Sequence, residues 1–285
     1  MKIVFLGEDS FSATVVESLV SDGHQILAVF CPVYDNQIYA RLKRTCENNN
    51  IPFHRIKEIN SSEVESLIRK LNPELISVCH FQQVLKQNII KIPSRGCINL
   101  HPSLLPLYRG LSPQHWPIIN GDKETGITVH VINEGIDSGD IILQHKIPIE
   151  PDMYVADLQL KMLRVYKYIV KDAISLLIKK DFKLTPQDPQ EGSYYGRLKE
   201  KHCLIDLNKR CIDAYNLVRG VSKPYMGARI SDYRIWEASI ASEELNQRIQ
   251  SDFKDNDIYF DSRYGAFIKF DDGTLLINKY DKINE

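Results

Sequence analysis

Asn99 and His101 stand one residue apart in CINLHPS, and Asp137 stands in NEGIDSGD. An amide, an imidazole and a carboxylate are groups that could together run acyl transfer to an amine. The amide offers an N–H to the oxyanion that develops when a nucleophile adds to a carbonyl carbon, worth roughly 3–4 kcal/mol of barrier per donor. The imidazole titrates near neutrality and can take or give the travelling proton. The carboxylate can hold the ring, raise its pKa or relay a proton through water. On an extended strand, residues i and i+2 face the same side, so Asn99 and His101 can aim at one ligand while Leu100 packs behind. Gly135 and Gly139 flank Asp137 and permit a tight backbone path into a cleft. Each residue also has an ordinary structural use: a satisfied histidine after a strand, an asparagine in a turn, an aspartate capping a loop. Residue types and spacing leave both uses open.

The elements that must position these groups alternate in type. KIVFLG is a continuous apolar run, as in a strand covered on both faces. FSATVVESLVSDG has helical spacing and stops at Gly23. HQILAVFCP, IPFHRI and PELISVCH read as strands, IYARLKRTCENNN and SSEVESLIRKLN as helices, and KQNIIKIPSRG as a short helix and turn. CINLH, TGITVHVIN and GDIILQHKIPI are further strands, the last two partners. The βαβα alternation predicts an α/β fold with a doubly wound, mostly parallel sheet and right-handed crossovers. YVADLQLKMLRVYKYIVKDAISLLIKKD reads as one long helix whose stripe of Leu158, Met162, Val165, Ile169, Ala173 and Leu176 packs on the sheet. Composition then shifts. TPQDPQEGSYYGRLK is rich in Pro, Gly and polar residues and reads as a linker or loop. The expected division is a catalytic domain over 1–185 and a smaller mixed α/β domain over 186–285. In the latter, CIDAYNLVRGVS is helical and YGAFIKFDDGTLLINKY is a hairpin turning at Asp271-Asp272-Gly273.

Composition narrows the chemistry. The 285 residues carry 36 basic and 37 acidic side chains, a net charge of −1. That balance argues against a general nucleic-acid surface, which needs concentrated Lys and Arg to displace counterions. It leaves room for a local basic pocket. No window approaches the ~18 apolar residues of a membrane span, and the N-terminus lacks the long apolar run of a signal peptide. The expectation is a cytoplasmic protein with neither nucleic-acid nor membrane partner. Six scattered cysteines without a Cys-x-x-Cys pair read as buried side chains in a reducing compartment. No closely spaced ligand set points to a metal. After the first strand the text is GEDSFSA, without the dinucleotide fingerprint or a phosphate loop. The ligand is then expected at the carboxyl ends of the strands.

INLHPSLLPLYRG, followed by P-x-x-W-x-I-x-N-G-x-x-x-T-G-x-T and INEGIDSGDII, resembles the folate-dependent formyltransferase family over roughly residues 75–145. The resemblance implies a Rossmann-like formyltransferase fold and transfer of a formyl group from 10-formyltetrahydrofolate to a primary amine. It makes Asn99, His101 and Asp137 catalytic: Asn99 and protonated His101 stabilise the oxyanion, and Asp137 tunes His101 and helps move the amine proton. It places the pterin against Gln83, Val84 and Leu85, with Asn133, Glu134, Gly135 and Ile136 on the opposite wall, and associates Ser103, Leu104, Leu105 and Pro106 with folate. YRG-x-x-P-x-x-W resembles the tRNA and sugar-nucleotide branches alike, and GSYYGRLKEKHCLIDLNKRC resembles the sugar-nucleotide branch, although Leu111 departs from it where a polar or basic residue can follow YRG. The implied partner is a nucleotide-linked amino sugar, a 4-amino-4,6-dideoxyhexose made for surface polysaccharide (O-antigen, lipopolysaccharide). Its base and pyrophosphate need aromatic faces and cations. The candidates are Tyr194, Tyr195, Arg197 and Tyr225, together with Asp35, Asn36 and Arg41 in the loop after the second strand. The alternatives are methionyl-tRNA formylation, a folate-binding protein that no longer transfers, and hydrolysis of the formyl folate. The C-terminal hairpin could serve a homodimer.

Overall fold

The computed structural model describes residues 1–33 and 37–283. The chain divides into two compact units. The first comprises Met1–Gly110, Gly126–Ile147 and Lys161–Tyr194; the second takes Leu111–Thr125 and Pro148–Leu160 together with Tyr195–Glu285.

The apolar runs form strands and the periodic segments between them form helices. In chain order these are β1 (Lys2–Gly7), α1 (Ser10–Ser21), β2 (Gln25–Pro32), α2 (Ala40–Asn48), β3 (Phe53–Ile56), α3 (Ser62–Leu71), β4 (Leu75–Cys79), α4 (Gln87–Ile90) and β5 (Cys97–His101). Local chemistry sets their ends. The Asp9 carboxylate accepts from the backbone N–H groups of Phe11 and Ser12 and so starts α1. Ser61 starts α3 by accepting from Val64, and Asn72, left-handed at φ 49°, stops it. There follow β6 (Arg109–Gly110), α5 (Trp116–Ile119), β7 (Glu124–Val131), β8 (Ile141–Pro148), α6 (Val155–Tyr166), α7 (Ile169–Leu177) and β9 (Tyr194–Tyr195). The main sheet has the order β3-β2-β1-β4-β5-β7-β8. Strands β1 to β5 pair in parallel. β7 lies antiparallel on β5. Strand order reverses between β1 and β4, the switch point at which such sheets open a crevice.

Three expectations change. The predicted single helix is two, α6 and α7, interrupted at Lys167-Tyr168. The carbonyl of Lys167, freed from the helical ladder, accepts instead from the Ser18 hydroxyl of α1. The segment read as a linker is stitched down within the first unit. Thr185 exchanges backbone bonds of 2.8 and 2.9 Å with Ile141, and Arg109 N–H donates to the Ser193 carbonyl at 2.9 Å. Thirdly, Arg41 lies in the first turn of α2 rather than in the preceding loop.

The second unit packs α8 (Cys211–Val221) on a five-stranded sheet of order β10-β11-β14-β13-β12. Its strands are β10 (Ala228–Ile230), β11 (Tyr233–Ile240), β12 (Ile258–Asp261), β13 (Gly265–Phe270) and β14 (Gly273–Lys282). Val218, Val221, Ile235, Ile268, Phe270 and Leu275 are at the centre of its core. Phe270 pairs with Gly273, so the hairpin turns on Asp271 and Asp272 alone. Gly273 already belongs to β14, close against Cys211. A helix α9 (Glu243–Asp252) precedes β12 and escapes sequence reading, since only its Ile249 is buried. All six cysteines are buried and free. Among the described residues no helix is long and apolar enough to cross a membrane.

Gly126 of β7 tests how tightly the site's scaffold is packed. A methyl group there would lie 2.3 Å from the His145 carbonyl oxygen and 2.5 Å from Leu104 Cδ2. Gly126→Ala is expected to lower unfolding free energy by about 1–3 kcal/mol in urea titration; an unchanged midpoint would contradict this packing.

Candidate active site

Alternation along β5 sends Asn99 and His101 to one side and buries Leu100 on the other. The antiparallel register pairs Asn99 with His130 of β7, so His130 shares the face of Asn99. The loop between β7 and β8 brings Asp137 back to the same place. Asn99 Nδ2 donates to Asp137 Oδ1 at 3.3 Å. Asp137 Oδ2 accepts the Gly110 N–H at 2.9 Å and lies 3.6 Å from His101 Nδ1. The three residues singled out in the sequence are together, with His130 as an unforeseen fourth.

The loop is held in an uncommon shape. Asp137 itself is left-handed, with φ 49°, and Gln187 Nε2 donates to its carbonyl at 3.1 Å. Gly139 is required by close approach rather than by φ: a Cβ there would meet the Val131 carbonyl oxygen at 1.8 Å. At Gly135 the same atom would meet Ser138 Oγ at 2.1 Å.

Partners fix the tautomers. His101 Nε2 lies 2.9 Å from the Tyr108 carbonyl. A carbonyl only accepts, so Nε2 carries the proton and Nδ1 turns its lone pair toward Asp137. His130 Nδ1 donates likewise to the Val131 carbonyl at 2.9 Å, leaving Nε2 to accept from Asn99 Nδ2 at 3.2 Å. Both amide hydrogens of Asn99 therefore have acceptors inside the protein. To donate to an oxyanion, Asn99 must release one of them.

Burial dominates the titration of His101. It holds the pKa below the ordinary histidine value, against the upward pull of Asp137 and the Tyr108 carbonyl and with a smaller downward push from His130 and His80. His101 therefore rests neutral at neutral pH. For Asp137 burial works to raise the pKa, but His101, His130 and the Gly110 N–H outweigh it and hold the carboxyl well below the usual carboxylate range. The result is an ionised carboxylate beside an unprotonated Nδ1, an arrangement suited to taking one proton.

The residues associated with folate divide into framework and surface. Ser103 Oγ donates to the Leu107 carbonyl at 2.7 Å, and the Ser103 carbonyl accepts from Thr128 Oγ1 at 2.7 Å. Leu105 is buried, donates its N–H to Thr128 Oγ1 and accepts on its carbonyl from Gln144. Leu104 and Pro106 are half-buried. Gln83 bonds to Ile59 N–H and the Lys57 carbonyl, so its side chain faces the protein. Leu85 is buried, while Val84 is 65% exposed. Asn133 closes its own loop by accepting from Gly135 N–H and Ser138 Oγ at 3.0 Å each. Glu134 is exposed, and Ile136 is 49% exposed.

The nucleotide candidates are scattered. Arg41 is paired with Glu17 at 3.0 Å. Asp35 and Asn36 lie outside the described residues. Tyr194 is 57% exposed in the first unit. In the second unit Tyr195 stacks on Trp116 with centroids 4.8 Å apart and accepts from Asn120 on its hydroxyl. Arg197 is exposed, and Tyr225 packs edge-on against His115. His130, Gly110 and Gln187 were missed. Only His130 left a signal in the sequence, a polar residue inside the apolar TGITVHVIN, and its meaning required the strand register.

Residues 1–174 match the formyl transferase family. The methionyl-tRNA formyltransferase of Pelotomaculum thermopropionicum is 33% identical over 256 residues, 86% of this chain and 80% of its own length. That of Clostridioides difficile is 30% identical over 294 residues, covering 100% of this chain and 93% of its own. A sugar 3-N-formyltransferase solved in the presence of dTDP and 5-N-formyltetrahydrofolate has a TM-score of 0.75 at 23% identity, over 100% of this chain and 98% of that one. The N-formyltransferase of Helicobacter canadensis, solved with folinic acid and dTDP-3-aminofucose, has a TM-score of 0.72 at 22% identity, over 99% and 100%. Structural likeness at such identities speaks for the fold, which agrees with the doubly wound sheet and smaller second module expected from the sequence. The family match and the methionyl-tRNA relatives carry the assignment: this chain belongs to the formyl transferase family and is a formyltransferase.

Proposed function

We propose that this formyltransferase moves the formyl group of 10-formyltetrahydrofolate onto the primary amine of a nucleotide-linked amino sugar in the cytoplasm, and that the sugar is a 4-amino-4,6-dideoxyhexose destined for surface polysaccharide. The observation that carries the chemistry is the meeting of Asn99, neutral His101 and ionised Asp137 around one point. The backbone of Gln83–Leu85 and the exposed apolar side chains of Val84 and Ile136 would hold the pteridine, a flat group suited to an apolar wall with fixed polar edges. The folate supplies an activated formyl carbon. Asp137 attracts the acceptor's ammonium, His101 Nδ1 takes its proton, and the resulting imidazolium sits between Asp137 and the Tyr108 carbonyl. The free amine bonds to the formyl carbon while Asn99 turns an N–H from Asp137 to the developing oxyanion and His130 keeps the other amide hydrogen fixed. Collapse of the adduct breaks the bond between the formyl carbon and the folate N10, which leaves with the proton of the His101 imidazolium. The substrate nitrogen gives its remaining extra proton to the freed His101 Nδ1 and from there to water.

Two observations support a sugar nucleotide as acceptor. The segment GSYYGRLKEKHCLIDLNKRC resembles that branch, and two solved neighbours that span this chain are named as a sugar 3-N-formyltransferase and an N-formyltransferase. Those two concern 3-amino sugars or dTDP-3-aminofucose by name, so amine position is part of the test. A net charge of −1 also disfavours a tRNA, whose phosphates reward clustered Lys and Arg. The methionyl-tRNA relatives at 30–33% identity make methionyl-tRNA the second reading.

Turnover of 10-formyltetrahydrofolate with a panel of dTDP-, UDP- and GDP-linked 3- and 4-amino sugars should give formylated product with at least one. Activity confined to charged initiator tRNA would replace the sugar reading with the second one.

Asn99→Ala and His101→Ala should each lower kcat by about 10²–10⁴ with the fold retained. Near-normal turnover in folded His101→Ala would remove its role. Because neutral His101 is the working form and burial holds its pKa below the ordinary histidine value, kcat should stay level through neutral pH and fall as acid protonates Nδ1. A pH–rate profile that instead fell on going from acid to neutral pH would mean that the imidazolium is the active form.

A further inference from the structure

A second histidine–carboxylate pair lies one strand away from His101. His80 follows β4, and Val78 and Cys79 are in register with Asn99 and Leu100 of β5. His80 Nδ1 lies 2.7 Å from Asp9 Oδ2, and its Nε2 lies 2.9 Å from the hydroxyl of Tyr166, the last residue of α6. Phe11 packs on the ring with centroids 5.1 Å apart. The other Asp9 oxygen is committed to the start of α1, accepting from Phe11 N–H at 3.0 Å and Ser12 N–H at 2.9 Å. One imidazole thus ties together the end of β4, the start of α1 and the end of α6, and the proposed chemistry uses none of these bonds.

His80 also holds the backbone where β4 turns into its loop. Its φ is 49°, in the left-handed region that side chains rarely adopt. The two side-chain bonds offset the strain of that conformation. The residues that follow are pinned in succession. Gln82 Nε2 donates to Glu8 Oε1 at 2.7 Å, and Gln83 is clamped by Lys57 and Ile59. Asn60 holds the far end, donating to the Val84 carbonyl at 3.0 Å and accepting from Lys86 N–H at 2.8 Å. Side-chain bonds thus fasten Gln82, Gln83 and the Val84 carbonyl, while the Val84 side chain stays open to solvent.

We propose that His80, anchored by Asp9 and Tyr166, is a positioning residue that presents the loop after β4 to the folate co-substrate; this rests on the reading that Gln83–Leu85 bind the pteridine. His80 touches no reacting atom. Its loss should therefore fall on KM for the folate rather than on kcat.

The pair also gives this binding a dependence on pH. His80 is faced by Asp9 and Glu8 after β1, by Tyr166 of α6 and, across β5, by His101. Burial works to lower its pKa, but Asp9 and Glu8 outweigh burial and raise it. The charge-assisted bond is complete below that raised pKa and weakens as pH climbs through it, so KM for the folate should rise on the alkaline side.

The test uses the full chain with His80→Gly, His80→Gln and Tyr166→Phe. Glycine adopts the left-handed backbone without strain, so His80→Gly separates the shape of the backbone from its anchoring. Steady-state kinetics should show KM for 10-formyltetrahydrofolate raised about tenfold or more in both His80 variants, less in Tyr166→Phe, with kcat close to wild type. Direct titration with 5-formyltetrahydrofolate should weaken in parallel, and the alkaline rise in KM should be absent from His80→Gly. Unchanged folate KM in the folded His80 variants overturns the inference. If those variants do not fold, the wild-type profile decides alone: KM that rises at alkaline pH supports the role, and a flat profile overturns it. Wild-type protein that neither binds nor turns over the folate overturns the underlying function as well, whereas wild-type binding with indifferent variants overturns this inference only.

Discussion

One buried negative charge organises the site. The Asp137 carboxylate is mostly withdrawn from water, its side chain 15% exposed. An isolated carboxylate so placed would take up a proton, since desolvation of the charge costs several kcal/mol. Here the Gly110 N–H and the Asn99 amide donate to it and keep it ionised, and two imidazoles stand beside it. These groups arrive from β5, β6 and β7, and their convergence constrains the chain around them. Asp137 takes a left-handed backbone, Gly139 stays bare so that its loop can lie on Val131, and Gln187 is drawn in to fasten the Asp137 carbonyl. The polar segment after α7 is therefore part of the support of the site.

The first unit holds two histidine–carboxylate pairs on neighbouring strand ends, with pKa values moved in opposite directions. His80 meets Asp9 at hydrogen-bond distance with a proton between them, and the ion pair outweighs burial. His101 stands farther from Asp137, its one proton committed to the Tyr108 carbonyl, and burial wins. A protonated histidine with both nitrogens satisfied is suited to holding structure in place. A neutral one with its lone pair turned toward a carboxylate is suited to accepting a proton. The difference comes from geometry, because the residue types are the same.

Much of this was legible in the sequence for definite reasons. Strands buried on both faces read as unbroken apolar runs, so KIVFLG and PELISVCH could be placed without ambiguity. The i, i+2 spacing of Asn99 and His101 put both on one face whatever the register. Other features depend on partners remote in the chain. His130 acquires its meaning only when β7 pairs with β5 in one register. The interruption of the helix after Tyr166 depends on a serine of α1 taking the freed carbonyl, and the order of the 185–194 segment depends on β6 and Ile141. Helix α9 was invisible because a helix with a single buried residue has no stripe. The charge state of His101 escaped because a carboxylate nearby suggests a raised pKa, and the extent of burial, which decides the matter, is not written in local sequence.

The electrostatics also constrain what an acceptor must do. Asp137 is ionised and His101 is neutral, so their pair carries a net negative charge before substrate arrives. That charge favours an ammonium, the form in which an aliphatic amine exists in neutral water, and disfavours a phosphate close by. An ammonium is no nucleophile, so binding alone is unproductive until one proton leaves. His101 Nδ1 and His130 Nε2 both lie 3.6 Å from the carboxylate, but the His130 lone pair is taken by Asn99, and an imidazolium at His101 has both N–H groups matched to acceptors already in place, Asp137 and the Tyr108 carbonyl. The proton is thus taken from the amine at the atom where the resulting charge is best stabilised. The same imidazolium then lies beside Asn99, where negative charge grows on the formyl oxygen. One transferred proton activates the nucleophile and helps stabilise what the nucleophile creates, which is why the neutral resting state of His101 matters more to this chemistry than a permanently charged ring would.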